Sequence, residues 1–238
     1  EISLGLVGSE MCIRDRWLDK PTVIAGEPGS RLDLQAEAGI DSYAYAQNET
    51  STGVVTPVKR VAGADAGALM FTDATSAAGG IDFDATETDV YYFAPQKNFA
   101  SDGGLWLALM SPAAIERTER IAASGRYIPE FLSVKTAIDN SRQNQTLNTP
   151  AIATLFFLAE QIDWINQNGG LSWADSQTRA ASNFLYNWAE ASEFATPFVS
   201  NPDHRSQVVV TIDFNDSILA TDISSVLRKN GVVDVDSL

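Results

Sequence analysis

Cysteine and histidine are nearly absent from this chain of 238 residues, which holds one of each. That scarcity excludes a disulfide framework and a zinc site built on His and Cys. Basic residues are also few, at 16 Lys and Arg against 31 Asp and Glu, for a net charge of −15. A surplus of that sign disfavours nucleic acid or an anionic membrane as partner, while leaving room for a local basic pocket. Long apolar runs are missing as well. The run over residues 151–159, interrupted by Thr154, falls far short of the roughly 20 residues needed to span a bilayer, and no basic-then-apolar segment opens the chain. A cytoplasmic location is expected. The N-x-T triplets at Asn48 and Asn144 are therefore not read as glycosylation acceptors.

What remains is an ordinary globular composition, 45% hydrophobic and 20% charged, large enough for one large domain or two unequal ones. Residues 1–16 stand apart. The stretch Leu6-Val7-Gly8-Ser9-Glu10-Met11-Cys12-Ile13-Arg14-Asp15-Arg16 resembles the in-frame translation of a transposon-based sequencing adapter, so it is set aside from fold reasoning and Cys12 carries no chemical information. The expectation is a fragment whose natural sequence begins upstream of Trp17.

From Trp17 to Met110 the pattern is β-like. Residues 40–47, 68–72 and 89–94 are short apolar runs, and each empties into polar or glycine-rich sequence: Asn48 to Gly53, Asp73 to Ser76, and Gln96-Lys97. Three consecutive strands with polar carboxyl ends suggest one pocket at the carboxyl edge of a mostly parallel sheet, where α/β folds bind ligands. The next run, 105–110, follows too short a loop for a parallel crossover and is expected to be antiparallel. Beyond Ser111 the period becomes helical. Helices are expected over 112–123, from Thr149-Pro150 to about Asn168 with Thr149 as cap, and over 171–192, where Trp173, Ala180, Phe184, Leu185 and Trp188 read as a core-facing stripe. A strand over 207–214 and a helix over 218–229 look like the start of a smaller α+β domain. The domain reading is thus 17–172 for a large unit and 173–238 for an incomplete small one.

The chemistry concentrates in residues 93–104. A lysine closing an apolar strand would be desolvated, which favours the neutral amine that attacks carbonyls; a surface lysine in a turn is the plainer alternative. Its company argues for the former. Pyridoxal phosphate needs a lysine to hold it as a Schiff base and an acid to keep its pyridine nitrogen protonated, and Lys97 and Asp73 fit those roles. Taken alone, Asp73 could equally be a cap or turn former. His204 has no metal-ligating company and no metal is expected; Arg142 and Arg205 could bind an anion or be paired at the surface. Gly103-Gly104 reads as the turn before the antiparallel strand.

Asn48-Glu49-Thr50, Asp73-Ala74-Thr75-Ser76, Ala94-Pro95-Gln96-Lys97-Asn98 and Asn148-Thr149-Pro150 together resemble, in order and spacing, the phosphoserine aminotransferases, and their actinobacterial-type branch above all. The likeness runs from Trp17 to about Val233. Related class V enzymes such as cysteine desulfurases usually place histidine before their lysine; Gln96 stands there in this chain. The resemblance implies an α/β, fold-type I large domain, mostly parallel with one antiparallel strand and flanking helices, and the start of a small α+β domain. It implies pyridoxal 5′-phosphate as cofactor, with Lys97 as the Schiff-base and proton-shuttling residue, and Asp73 on the pyridinium nitrogen. Thr50 would bond the phenolic oxygen and Gln96 the phosphate, while Asn148 and Thr149 would reach the phosphate in the neighbouring subunit of a homodimer. The implied reaction passes the amino group of glutamate to 3-phosphohydroxypyruvate, giving phosphoserine and 2-oxoglutarate in serine synthesis and, in some organisms, serving pyridoxine synthesis. Alternatives are another class V aminotransferase or a catalytically incompetent fragment, since the family's upstream phosphate loop, ring-stacking aromatic and C-terminal substrate arginine are not found here. On that ground the 238-residue chain alone is expected to show no turnover, and the gene product to show it. Residues 234–238 depart from the family's continuation, and a second junction is expected there.

Overall fold

The computed structural model describes residues 21–233. The adapter-like stretch 1–16, with Cys12, and the departure over 234–238 lie outside the described residues. The described residues hold eight strands: β1 (Ser42–Ala46), β2 (Asn48–Glu49), β3 (Val54–Val55), β4 (Leu69–Asp73), β5 (Val90–Phe93), β6 (Leu107–Met110), β7 (Ala195–Pro197) and β8 (Ile212–Phe214). Among the described residues five α-helices accompany them: α1 (Pro112–Ala122), α2 (Val134–Ser141), α3 (Ile152–Gln167), α4 (Leu171–Ala191) and α5 (Ala220–Lys229).

The main sheet has the order β1-β4-β5-β6. The first three strands are parallel, and β6 runs antiparallel to β5 with Phe93 opposite Leu107, as the short connection requires. Side chains alternate across the sheet, so its two faces pack against different partners. Met70 and Tyr43 bury one part of the first face, and Tyr91 packs there with Val58, Ala74, Ala77, Ala78 and Ile81. Leu69 and Val90 bury the other face against Ala114 of α1. Ser111 caps α1 by accepting from the Ala114 amide, with Pro112 pre-set for the first helical turn. Tyr91 is wholly interior: it stacks on Phe83 with centroids 3.9 Å apart and donates its hydroxyl to Gln47 Oε1 at 2.9 Å. Burial raises its hydroxyl pKa.

Three expectations are corrected. The first concerns α3, which starts at Ile152 with Ala151 as an extended N-cap that makes no side-chain bond, so Thr149 is not the cap and Pro150 lies outside the helix. Thr149 is exposed and its hydroxyl bonds no amide of the first turn among the described residues, so it does not cap the helix. The second is the aromatic stripe of α4. Its buried positions are Ala174, Ser182, Tyr186 and Ala189, while Phe184 is 75% exposed and Leu185 and Trp188 are more than two-fifths exposed. The small residues let α4 lie close to the chain that follows, and Tyr186 anchors it by donating to the Ser206 carbonyl at 2.9 Å. Burial pushes the Tyr186 hydroxyl up to about 12, with the Arg205 charge pulling the other way. Of the stripe, Trp173 meets Trp164 of α3 edge to face at 4.9 Å. The third is the strand over 207–214, which shrinks to β8. Residues 206–209 instead form a side-chain-tied turn, in which Ser206 Oγ accepts from the Val208 and Val209 amides. The β2–β3 hairpin, β7 and α2 were not foreseen. No described helix is long and apolar enough to cross a membrane.

Candidate active site

The carboxyl ends of β1, β4 and β5 lie side by side, and the register fixes what meets there. Ala46 is opposite Asp73, and Asp73 is opposite Tyr92. Past the strand ends the ladder continues for one more bond on each side: the Gln47 amide donates to the Asp73 carbonyl at 2.8 Å and the Ala74 amide to the Tyr92 carbonyl at 2.9 Å. The three polar turns therefore leave from one edge.

Asp73 is the last residue of β4 and is half-buried. Its Oδ1 accepts from the Thr75 amide at 2.9 Å, so the turn-forming reading holds for one oxygen; the other takes no hydrogen bond among the described residues. The chain then winds through residues 74–81, where Ala77, Ala78, Gly80 and Ile81 donate back to the carbonyls of Ala74 and Ala77. Small residues are needed here. A Cβ on Gly79, at φ +85, would sit 2.9 Å from the Phe99 ring, and one on Gly80 would sit 2.8 Å from Asn98 Nδ2. The turn after Asp73 and the turn after β5 thus touch backbone to side chain.

Thr50 occupies the turn of the β2–β3 hairpin, half-buried, and donates to Ser76 Oγ at 2.8 Å. Asn48, 5% exposed, donates its Nδ2 to the same oxygen at 2.8 Å. Asn98, next to Lys97, donates to the Ser76 carbonyl at 2.9 Å. Ser76 is the point where all three turns meet. It and Asn98 stand inside the motifs quoted above, yet no role was read for either; the signal available was the run of small residues from Ala74 to Gly80, which marks a turn packed against something.

Lys97 departs from expectation. The strand ends at Phe93, Pro95 is buried, and the chain turns so that Gln96 and Lys97 are both exposed. The Ala100 amide donates to the Lys97 carbonyl at 2.9 Å and the Ser101 amide to the Pro95 carbonyl at 3.2 Å, closing the turn four residues beyond the sheet. Lys97 is exposed rather than buried, and its Nζ has no partner among the described residues. Asn148 and Thr149 are exposed in the segment before α3, and no hydrogen bond among the described residues joins them to Thr50, Asp73, Gln96 or Lys97. The loop after Lys97 does reach α3: Ser101 Oγ donates to the Thr154 carbonyl at 2.7 Å, and Thr154 Oγ1 to the Gly103 carbonyl at 3.2 Å. Arg142 pairs with Glu119, and Arg205 with Glu190 and the Tyr186 ring, so both cations serve packing. His204 faces Asn201, and no metal-ligating cluster exists among the described residues.

A family model for the class-V aminotransferases matches residues 34–235. The chain belongs to that family. Among relatives, it is 59% identical over 221 residues to the phosphoserine aminotransferase of a Nocardioides species, covering 92% of this chain and 59% of that protein. It is 56% identical over 220 residues to the phosphoserine aminotransferase of Rhodococcus opacus, with 92% and 59% coverage. The chain thus spans less than two thirds of the length of these relatives. Among solved structures, the phosphoserine aminotransferase of Cytophaga hutchinsonii superposes with a TM-score of 0.74 at 23% identity, over 87% of this chain and 56% of that one. PLP-bound phosphoserine aminotransferase from Trichomonas vaginalis gives 0.72 at 16% identity, over 95% and 62%. These two likenesses are of fold, and they agree with the α/β, mostly parallel architecture of a class-V aminotransferase.

Proposed function

We propose that the gene product is a pyridoxal-phosphate-dependent phosphoserine transaminase, moving the amino group of glutamate to 3-phosphohydroxypyruvate. The observation that supports the reading is that the three turns carrying Thr50, Asp73 and Lys97 leave one sheet edge and meet at Ser76, which bonds Asn48, Thr50 and Asn98. The residues fit the cofactor. Asp73 keeps one carboxylate oxygen unbonded at the edge, Lys97 offers a free amine, and Thr50 a hydroxyl. When bound, pyridoxal phosphate supplies an electron sink for the bond-breaking at the substrate α-carbon.

The chain's own groups do the rest. The negative charge of Asp73 would favour a proton on the cofactor's pyridine nitrogen, and Thr50 would orient its phenolic oxygen. Lys97 would hold the cofactor through its amine and serve as the base for the proton at the substrate α-carbon. Gln96 would bind the cofactor phosphate. Asn148 and Thr149, exposed and separate from the other groups in this chain, suit a role toward a second subunit of a homodimer. A cytoplasmic location and the division at 172/173 into a cofactor-binding unit and the start of a smaller one belong to the same proposal.

The test is borohydride reduction of the gene product after loading with pyridoxal phosphate, followed by peptide mapping. The added mass is expected on Lys97 and absent in Lys97→Ala, and O-phosphoserine is expected from glutamate and 3-phosphohydroxypyruvate. Label on another lysine sinks the assignment of Lys97. Preferred transfer to glyoxylate or oxaloacetate would instead make it a class-V aminotransferase of a different acceptor.

A further inference from the structure

The hairpin that carries Thr50 is too small to fix its own position. Its strands β2 and β3 pair only Asn48 with Val55 and Glu49 with Val54, and a lone two-stranded hairpin is marginally stable at best in water. Support comes from far downstream. The Ser206 amide donates to the Gly53 carbonyl at 2.8 Å in an isolated antiparallel bridge between Arg205 and Val54, and Thr211 Oγ1 donates to the Thr52 carbonyl at 2.8 Å across 159 residues of sequence. The contact is tight. A Cβ on Gly53, at φ +72, would sit 2.7 Å from Thr211 Oγ1 and 2.9 Å from the Val209 carbonyl oxygen. The same segment braces the turn after Asp73: Gln207 Nε2 lies 3.1 Å from the Gly80 carbonyl oxygen, and Val208 packs with Ala74, Ala77, Ala78 and Ile81. Residues 205–211 thus form a strut between the two turns, stiffened by the bonds that Ser206 Oγ accepts and that Tyr186 makes to the Ser206 carbonyl.

The geometry points to Thr211 as a positioning residue for Thr50: by holding the hairpin at the Thr52 carbonyl, it sets where the Thr50 side chain stands relative to Asp73. The proposal rests on the reading of Thr50 as the partner of the cofactor's phenolic oxygen. Thr211 itself touches neither cofactor nor substrate, and its effect passes through the hairpin. Removing its hydroxyl strips the Thr52 carbonyl of that donor and leaves the hairpin held on this side by the backbone contact to Ser206. A group whose support lets it drift loses binding strength, since a displacement on the order of 1 Å undoes an aligned contact.

The experiment titrates the gene product with pyridoxal phosphate, followed by visible absorption, and compares Kd for wild type, Thr50→Val, Thr211→Ala, Thr211→Ser and the double variant Thr50→Val/Thr211→Ala, with thermal melts of each. Thr50→Val raises Kd about tenfold, the equivalent of one hydrogen bond to a charged oxygen. Thr211→Ala raises it roughly fourfold, because the Thr50 contact is displaced and not removed. Thr211→Ser keeps the donor and stays within about twofold of wild type, and the double variant matches Thr50→Val, since a contact already absent cannot be misplaced. Should Thr211→Ala not fold, Thr211→Val fills the space without a donor and gives the same rise. Asp89→Asn is the control for lost stability, because Asp89 is buried at the amino end of β5, bonded to Arg60 and Ser111, and its loss leaves Kd unchanged. A purely structural Thr211 would lower the melting temperature and leave Kd where it is; that result overturns the inference and leaves the site intact. A rise that persists in the Thr50→Val background, or one that Asp89→Asn reproduces, overturns it as well. An unmoved Kd in Thr50→Val removes the role of Thr50 and the inference with it, while the mapping on Lys97 stands. Failure of the wild type to bind the cofactor overturns both readings.

Discussion

Replacing Asp89 by asparagine should destabilise the fold by about 3 kcal/mol, and the number follows from three contacts. The carboxylate is 3% exposed at the amino end of β5, where Oδ1 accepts from Arg60 Nη2 and Ser111 Oγ, both at 2.8 Å, and Oδ2 accepts from the Met70 amide at 2.9 Å. It thereby joins β4, β5, the cap of α1 and the segment that covers the sheet. A carboxamide has one acceptor where the carboxylate has two. If its oxygen stays on Met70, its NH2 meets the Arg60 guanidinium; turned the other way, the NH2 meets the Met70 amide. Either way at least one charge-assisted bond, each worth about 1.5–3 kcal/mol, becomes a contact between donors. The Arg60 side chain is 42% exposed and returns to water, which keeps the loss at the low end of the roughly 3–5 kcal/mol seen when a buried pair loses one partner.

For a chain of this size about 3 kcal/mol corresponds to a fall in Tm of roughly 6–12 °C at pH 7. Acidity supplies an independent readout. Burial by itself would raise the Asp89 carboxyl pKa, and the bonds from Arg60, the Met70 amide and Ser111 outweigh it, holding the group below the ordinary carboxylate range. A folded-state pKa below the unfolded value of about 3.9 means the contribution is complete above roughly pH 5 and is lost as pH falls through the folded pKa. The Asp89→Asn protein should therefore lose part of the wild type's acid limb. Differential scanning fluorimetry from pH 3 to 8, with Asp33→Asn as an exposed control expected within about 0.5 kcal/mol, measures both. A Tm within about 2 °C of wild type at pH 7, or an unchanged acid limb, refutes the reasoning.

Gly79→Ala places a methyl 2.9 Å from the Phe99 ring at φ +85, and the sum of left-handed strain and overpacking predicts a loss of roughly 2–4 kcal/mol by urea denaturation. Gly103→Ala, where a Cβ meets nothing within 4 Å, should leave the midpoint nearly unchanged. Tyr186→Phe removes the donor to the buried Ser206 carbonyl and should cost about 1–2 kcal/mol in the same assay, without shifting the response to pH between 5 and 9.

The order of the sheet edge was legible because its signal is local. Apolar runs that end in polar residues mark both the strand and the direction of its carboxyl end, and a short loop before residues 105–110 forces the antiparallel turn. Lys97 shows where local signals stop. Nothing in Ala94-Pro95-Gln96-Lys97 says how many residues the chain spends leaving the sheet, and those four carry the amine from a half-buried strand end into solvent. The hub at Ser76 was hidden for another reason. Its partners Asn48 and Asn98 are 28 and 22 residues away, and they meet it only once β1, β4 and β5 are in register. The stripe of α4 misled because helical spacing identifies a face without saying which way it points: the small residues Ala174, Ser182 and Ala189 pack inward, leaving Phe184 and Trp188 outside.

Around Lys97 the structure separates a fixed backbone from a free side chain. On one side of the lysine, Asn98 fastens the turn to the Ser76 carbonyl; on the other, Ser101 and Gly103 fasten the outgoing loop to Thr154, which is 2% exposed in the first turn of α3. The non-glycine residue Ala100 is held at φ +49 between these anchors, a conformation that a mobile loop would relax out of. The amine itself is bound by nothing described. Under the role proposed for Lys97, an amine that joins a carbonyl and then leaves it would use that combination: a Cα held by the anchored turn, and a long side chain free to swing without disturbing the edge.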